Sequence, residues 1–358
     1  MWYEEISGTI ESKDFVLWIV ISEIKEEFRE RTELGFDGAE VQVICTELIE
    51  SFERFRRKLS EKLEMVIKEN GSIPPTYFYY APVDYEIIGD APNFGEKYAN
   101  VKEFQRKELP PFLDVIVKVF KVYEDCEFLR DLYAKVRNSQ LYDKKLKMYK
   151  VNAPLENASI EIGRAKAFTP GWLENESIRL HMEYEYMLEL IKSGLYEEFF
   201  SDFKNVFIPF LNPYVYGRSV LENCSFIVSS ANPDETLHGN GFVACLTGDT
   251  AEFLSIWRIM FVGRQPFKVN DGQIILEFEP ILPGWSFDEK GTISFKFLGS
   301  YNVVYHNPQK IDTYKTEDSK RVVLHVEGHD VTFEGGVVPE PYSKTVRSGQ
   351  ISMLEIFF

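Results

Sequence analysis

The sequence predicts a two-part α and β protein, in which a helical domain (residues 1–264) precedes a small antiparallel β-sandwich (residues 265–358). Two observations carry this prediction. Apolar residues recur every three or four positions over much of the first part, which is typical of amphipathic helices. Beyond Gly263 they alternate or form short runs between Gly, Pro, Asn and Asp, which is typical of strands and turns. The 358 residues suffice for two domains.

Helical periodicity begins with a long segment over residues 40–70, which predicts one amphipathic helix with a charged outer face. Its apolar positions are Val41, Ile44, Leu48, Phe52, Phe55, Leu59, Leu63 and Val66. Residues 71–111 break this pattern, and their Pro and aromatic residues predict a loop or a short hairpin.

Further helices are predicted at residues 112–122, near 127–137, from about 176 to 203, and from about 250 to 263. An extended piece at 148–156 and a Pro-Gly turn at 168–172 separate the second of these from the third.

Six apolar or alternating segments follow, and together they predict a meander of antiparallel strands folded as a small sandwich. They are QIILEFEP (273–280), TISFKFLG (292–299), YNVVYHNP (301–308), RVVLHVEG (321–328), VTFEGG (331–336) and ISMLEIFF (351–358).

The charge and composition restrict the class of partner. A net charge of −17 repels nucleic acid, so we expect no nucleic-acid partner, whereas an uncharged oligosaccharide is indifferent to this field. Phosphate would need a locally positive pocket. Aromatic residues make up 15% of the chain, as is common in carbohydrate-handling clefts, although packing in a large core explains most of these rings equally well.

The four cysteines and the N-terminal segment bear on location. Cys45, Cys126, Cys224 and Cys245 lie far apart without a CxxC pair, so neither a zinc cage nor a disulfide framework is predicted. The apolar run at residues 15–21 is too short to span a membrane, and the N-terminus lacks the basic flank of a signal peptide. We therefore expect a cytoplasmic protein without a membrane partner.

Two segments predict an anion site. His181 stands alone near the start of an amphipathic helix, and Thr247 and Gly248 stand at a loop-to-helix junction. Free backbone N–H groups at a helix start, a hydroxyl and an imidazole can together hold phosphate. A structural role is the usual one for an isolated His on a helix. Asp249, in the same turn, would close the site if its carboxylate capped the helix.

The order ENxxIxxH, PYVYG, LTGxTA and then GRQPF, DGQIIL and LPGW resembles the C-terminal half of glycoside hydrolase family 94, the inverting phosphorylases of cellobiose, chitobiose and related β-glucosides. The similarity is strongest over residues 162–308. It implies that the helices belong to a partial (α/α)6 barrel and that the β domain is jelly-roll-like. Half a barrel would expose an apolar edge, so we expect a homo-oligomer or a separately encoded N-terminal half as partner.

The resemblance also implies residue roles. His181, Thr247 and Gly248 would contact phosphate, and Glu174 and Asn175 would shape the pocket floor. The sequence departs from the family in one respect that matters for catalysis. The catalytic Asp of a WND motif is absent from residues 1–37, and the upstream phosphate-binding Arg has no counterpart.

The implied reaction is phosphorolysis of a β-linked glucosyl disaccharide to a sugar 1-phosphate, with inorganic phosphate as co-substrate and no cofactor. Phosphate attacks the anomeric carbon while a protonated carboxyl group donates to the glycosidic oxygen, so no second carboxylate is needed. The alternative is a non-catalytic, truncated or divergent carbohydrate-binding relative that needs a partner subunit. Whether the chain is an enzyme by itself is left open.

Other candidates have structural alternatives. His238 lies in a Gly-containing loop that a tight turn explains as well. Arg218 would supply positive charge, but pairing with Glu222 is the simpler interpretation. Trp172 and Tyr216 would stack on sugar rings, or belong to the core.

Glu40 is the weak candidate for the catalytic acid, because it lies near the place where the resemblance puts that residue. A helix N-terminus there would lower the pKa of a carboxyl group, the wrong direction for a general acid. His325 and His329 lie in the β region with no carboxylate or Cys at ligand spacing, so no metal site is predicted there.

Overall fold

The chain is a mixed α and β protein. The computed structural model describes residues 14–358, apart from residues 36, 37, 39, 41, 71, 72, 93, 94, 245, 246, 317–319 and 327. The chain divides into two compact units, residues 1–65 and 66–358. The domain boundary predicted after residue 264 falls inside the second unit, at the point where helix gives way to strand.

The helices, numbered along the chain, are α1 (Asp14–Thr32), α2 (Cys45–Asn70), α3 (Leu113–Val122), α4 (Cys126–Asn138), α5 (Arg164–Ala167), α6 (Leu180–Lys192), α7 (Tyr196–Val206), α8 (Pro213–Tyr216), α9 (Thr247–Val262) and α10 (Tyr342–Arg347).

The strands are β1 (Phe78–Asp90), β2 (Lys97–Glu108), β3 (Tyr142–Asp143), β4 (Met148–Tyr149), β5 (Ile178–Arg179), β6 (Cys224–Ile227), β7 (Gly241–Ala244), β8 (Phe267–Asn270), β9 (Gln273–Glu277), β10 (Thr292–Phe297), β11 (Tyr301–His306), β12 (Arg321–Val326), β13 (His329–Glu334), β14 (Val337–Val338) and β15 (Met353–Phe357).

The first unit holds α1 and most of α2. The predicted helix over residues 40–70 is present but begins at Cys45. Its apolar stripe faces solvent, with Leu48 44%, Phe52 61% and Leu59 67% exposed. Among the described residues, the buried apolar side chains of the core begin only at Leu113.

Residues 71–111, predicted as a loop or short hairpin, contain a long antiparallel hairpin. Strand β1 has 13 residues and β2 has 12, and the register shifts next to Pro82. The aromatic and β-branched residues that suggested an irregular loop are also the residues that favour strands. A Pro lacks the N–H for the ladder, so it is accommodated where the pairing is irregular.

Two helical hairpins stack side by side in the second unit. One is α3 and α4, joined by residues 123–125, and the other is α6 and α7, joined by residues 193–195. Helices α4 and α7 run in the same direction, because contacts between them advance together along both. The pairs are Cys126 with Ser193, Arg130 with Glu198, and Tyr133 with Ser201.

Helices α3, α6 and α9 also run in the same general direction. The start of α3 is hydrogen-bonded through Val151 to Ser177, just before α6, and Phe120 near its end contacts Tyr186. Helix α9 runs alongside α6. His181 lies close to Glu252 near the two starts, and Arg264 donates to the carbonyl of Lys192 near the two ends. The antiparallel sheet β5-β6-β7 lies at the starts of α6 and α9, because β5 leads directly into α6 and β7 precedes α9.

The prediction of a single helix from about 176 to 203 is wrong, because the structure has two helices there. Helix α6 ends in a Schellman motif: Gly194 has φ +76°, its N–H bonds the carbonyl of Ile191, and the N–H of Leu195 bonds that of Leu190. Glycine adopts this left-handed conformation without a Cβ penalty, so Lys-Ser-Gly ends the helix although the apolar period continues beyond it.

The β region forms a five-stranded sheet of order β10-β11-β15-β12-β13 and a three-stranded sheet of order β14-β9-β8. The predicted strands are present, but the antiparallel meander is not, because β15 lies between β11 and β12 and is parallel to β11. Phe297 joins the two sheets through ring contacts with Phe267 and Phe278.

Candidate functional site

The candidate site lies where α6 and α9 begin side by side. Helix α6 starts at Leu180, so His181 belongs to its first turn, and its side chain is 42% exposed. Helix α9 starts at Thr247, three residues earlier than the sequence predicted, which places Thr247, Gly248 and Asp249 in its first turn. His181 and the start of α9 therefore lie at the same end of two neighbouring helices.

The anion site predicted from the sequence falls partly on residues outside the described part of the chain. The side chain of Thr247 and all of residues 245 and 246 lie outside what the structure describes. Asp249 is 1% exposed, so its carboxylate does not point into solvent. Phosphate binding by Thr247 and Gly248 therefore stays a prediction.

Two carboxylates that the sequence reading missed lie beside His181. Glu185 follows it by four residues on the same face of α6, and Glu252 lies on α9. His181 Nε2 is 3.8 Å from Glu252 Oε2, and ligand atoms of the three side chains lie within 4.8 Å of one another. Lys121 Nζ lies 3.3 Å from Glu185 Oε1. The i, i+4 spacing of His181 and Glu185 was readable in the sequence, whereas Glu252 needs the helix pairing.

The turn before α6 is locked in place by protein contacts. Gly171 has φ +78°, and a Cβ there would lie 2.6 Å from the backbone N of Asn232, so only glycine allows this approach. The next residue, Trp172, packs edge-on against Phe226 and Phe242 of the sheet β5-β6-β7. The Trp172 ring thus packs against one side chain of β6 and one of β7.

Glu174 and Asn175, expected to shape a pocket floor, are also held by protein groups. Glu174 accepts two hydrogen bonds from Arg164, at 3.0 and 2.7 Å. Asn175 is 5% exposed and donates to the carbonyl of Phe168 at 2.8 Å. Both residues lie in the segment that leads into α6, and their role as pocket floor stays a prediction.

Tyr216, Arg218 and His238 each contact other groups of the protein. Tyr216 is 1% exposed and donates to the carbonyl of Glu222, which leaves its ring no open face for a sugar. Arg218 lies 3.7 Å from the Glu222 carboxylate. His238 Nδ1 accepts from Lys145 Nζ at 2.7 Å, and its Nε2 donates to the carbonyl of Asn232 at 2.8 Å.

Glu40 does not stand at a helix N-terminus, because α2 begins five residues later, and it is exposed. The expectation that His325 lacks a carboxylate nearby is wrong. Cross-strand pairing in β12 and β13 puts Asp330 Oδ1 2.7 Å from its Nδ1, and Glu355 on β15 lies 3.6 Å from its Nε2. His329 is exposed.

A buried polar network lies between α6 and α7. The Asp202 carboxylate accepts from Tyr149, Tyr133 and Arg137 at 2.6, 2.9 and 2.6 Å. Glu183 accepts from the backbone N–H of Tyr149 at 2.7 Å. Burial raises the pKa of both carboxyl groups, that of Glu183 well above its ordinary value. Both are 0% exposed, so they hold the helices together and are closed to a ligand.

No protein-family model matches the chain, and no curated protein matches it. The resemblance to glycoside hydrolase family 94 therefore stays a prediction that rests on the quoted motifs alone. Among the described residues, no helix combines the length and the apolar character needed to cross a membrane.

Proposed function

We propose that α3, α4, α6, α7 and α9 form a sector of an (α/α) barrel. Such a barrel is built from stacked helical hairpins, with one layer of parallel helices inside and a second layer outside. The parallel course of α3, α6 and α9 supports an inner layer, and that of α4 and α7 an outer layer. The jelly-roll-like character of the β region belongs to the same proposal.

On this fold we propose the phosphate-binding part of an inverting glycoside phosphorylase, acting on a β-linked glucosyl disaccharide. One observation carries the proposal: the exposed His181 lies at the end where both α6 and α9 begin. There the first-turn amides of Thr247 and Gly248 lack intrahelical acceptors and favour an anion. Phosphate is the only co-substrate proposed, and no cofactor is invoked.

The negative charges of Glu185 and Glu252 weaken the binding of an anion at this end. Removing one of them should therefore strengthen phosphate binding, which gives a direct test. With divalent ions removed by EDTA, we expect calorimetric titration to give millimolar binding of phosphate to the wild type and none to His181→Ala. Glu252→Gln should bind phosphate roughly three-fold more tightly, the effect of removing one charge about 6 Å away in a water-like dielectric.

His329→Ala is the matched control, because His329 is exposed and lies on β13. Phosphate binding should survive that change. Absence of binding to the wild type, or equal binding to wild type and His181→Ala, would remove the phosphate site from the proposal.

The second candidate function is a non-catalytic carbohydrate-binding relative. The observation that favours it is the lack of an acid in the expected setting, since Glu40 is exposed and precedes the helix. The two candidates differ in turnover. If the second candidate holds, the chain given glucose 1-phosphate and glucose should release no phosphate, while a disaccharide titration should still show binding. Release of phosphate would favour the first candidate.

We further propose a cytoplasmic location, tested by cell fractionation, and a protein partner, either a second copy of the chain or a separate polypeptide. The apolar stripe of α2 supports a partner, because Leu48, Phe52 and Leu59 are each more than two-fifths exposed. The mass of the protein in solution tests this proposal.

A further inference from the structure

We propose that His181, Glu185 and Glu252 bind a divalent first-row transition metal ion, such as Zn²⁺ or Mn²⁺, between α6 and α9. This inference goes beyond the proposed phosphorolysis and holds whether or not phosphate binds. It starts from the distances: one nitrogen and two carboxylate oxygens lie within 4.8 Å of one another. Around a shared ion these atoms would lie about 3.0–3.4 Å apart, given metal–ligand bonds of about 2.1 Å, so small side-chain rotations close the site.

The helix geometry places the three groups on one side of the helix pair. His181 and Glu185 are four residues apart and share a face of α6. Glu252 lies on α9, one turn beyond its first residues, and its Oε2 is 3.8 Å from His181 Nε2. All three ligands therefore lie on helices, which are rigid elements, rather than on loops.

A second observation concerns Glu252. Its Oε2 is inaccessible to solvent and receives no hydrogen bond among the described residues. The distance of 3.8 Å to His181 Nε2 is too long for a hydrogen bond. A buried carboxylate oxygen without a donor costs free energy, and a bound cation would remove that cost.

The ligand set and the access route indicate the class of ion. One imidazole with two carboxylates suits Zn²⁺, Mn²⁺ or Fe²⁺, whereas Mg²⁺ and Ca²⁺ prefer oxygen alone. His181 is 42% exposed, while Glu185 and Glu252 are 16% and 21% exposed, so an ion enters past the imidazole. Three protein ligands leave further coordination positions to water or substrate. Lys121 contacts Glu185 Oε1 at 3.3 Å, which leaves Oε2 of the same carboxylate for the ion.

The test is titration of EDTA-stripped, phosphate-free protein with Zn²⁺ and with Mn²⁺. We expect saturable binding of one ion per chain, weakened roughly ten-fold or more by Glu252→Gln and by His181→Ala. His329→Ala and Glu334→Gln, both exposed positions on β13, should leave the affinity unchanged. No saturable binding of either ion, or binding that Glu252→Gln does not weaken, overturns the proposal.

A second measurement needs no variant. The chain has five histidines, and Mn²⁺ broadens the NMR signals of imidazoles close to it. The His181 ring signal should broaden first at low Mn²⁺, and the other four should not. Uniform broadening, or broadening centred on another histidine, contradicts the site. The phosphate proposal is separable, because Glu252→Gln should strengthen phosphate binding and weaken metal binding.

Discussion

Glu183 is a carboxyl group inside the helical layer, 0% exposed, with one backbone donor from Tyr149. Burial disfavours its charged form, which raises its pKa well above the ordinary 4.5. A raised acid pKa means that the folded protein holds a proton that the unfolded chain releases. The free energy of unfolding contributed by this group is therefore complete below pH 4.5 and falls as the pH rises above that value.

We therefore expect Glu183→Gln, which carries no titratable proton, to show a flatter dependence of stability on pH. Above pH 4.5 the wild type should lose about 1.4 kcal/mol per pH unit more than the variant, until the raised pKa is passed. Urea unfolding at successive pH values measures this slope. Well below pH 4.5 the Glu183 carboxyl group is neutral in both the folded and the unfolded chain, so the two slopes should converge. Parallel profiles throughout would contradict a raised pKa in the folded state.

At the scale of single residues, the sequence indicated the position of His181 in its helix but not which side chains surround it. His181 lies near the start of a helix, as the sequence indicated. The carboxylates around it were not expected, because Glu252 reaches His181 only through the pairing of α6 with α9. Likewise, Tyr216 looked available for a sugar, and only the structure shows that its ring is buried.

Gly194 decides where one helix ends and the next begins. A Cβ at this position would meet nothing within 4 Å, so a substitution there tests backbone conformation alone. We expect Gly194→Ala to lower the free energy of unfolding by about 1–2 kcal/mol, the cost of the left-handed conformation for a residue with a Cβ. Denaturant unfolding measures it.

Gly194→Asn is the matched variant, because Asn tolerates this conformation better, and it should cost less than Ala. An Ala variant as stable as the wild type would mean that the turn can rearrange without penalty.

Helices with a strong apolar period were predicted close to their observed ranges. The order of strands in the sheet, which depends on which strands pair, was not predicted. Helices α3 and α4 lie close to their predicted ranges because their apolar faces pack on α6 and α7. The position of β15 was missed because the alternation of its residues reveals a strand but not its neighbours. The start of α9 was predicted three residues late, since the Thr-Gly-Asp segment offers more than one N-terminal residue.

The whole molecule combines a strongly acidic chain with an exposed apolar stripe on α2. Because Leu48 and Phe52 are exposed, replacing both by Glu should leave the fold intact. We expect sedimentation velocity of the wild type to show a dimer or larger species, and that of Leu48→Glu/Phe52→Glu to show a monomer.

Glu50→Gln/Arg57→Gln, on the polar side of the same helix, is the matched control and should behave as the wild type. A wild type that is monomeric by itself leaves the separate polypeptide as the only proposed partner. Identical association of all three proteins would show that the stripe on α2 is not the contact.

The parallel course of α3, α6 and α9 also determines how charge is distributed along the molecule. Each helix carries about half a positive elementary charge at its start from its aligned peptide dipoles, and this field fades within a turn. Three starts on one side therefore point these partial charges the same way in a chain whose net charge is −17, although each helix also has an acidic residue in its first turn: Asp114, Glu183 and Asp249. One turn further along, the carboxylates of Glu185 and Glu252 reverse the sign. Anion and cation would thus meet opposite fields about 5 Å apart, the pitch of a single helical turn.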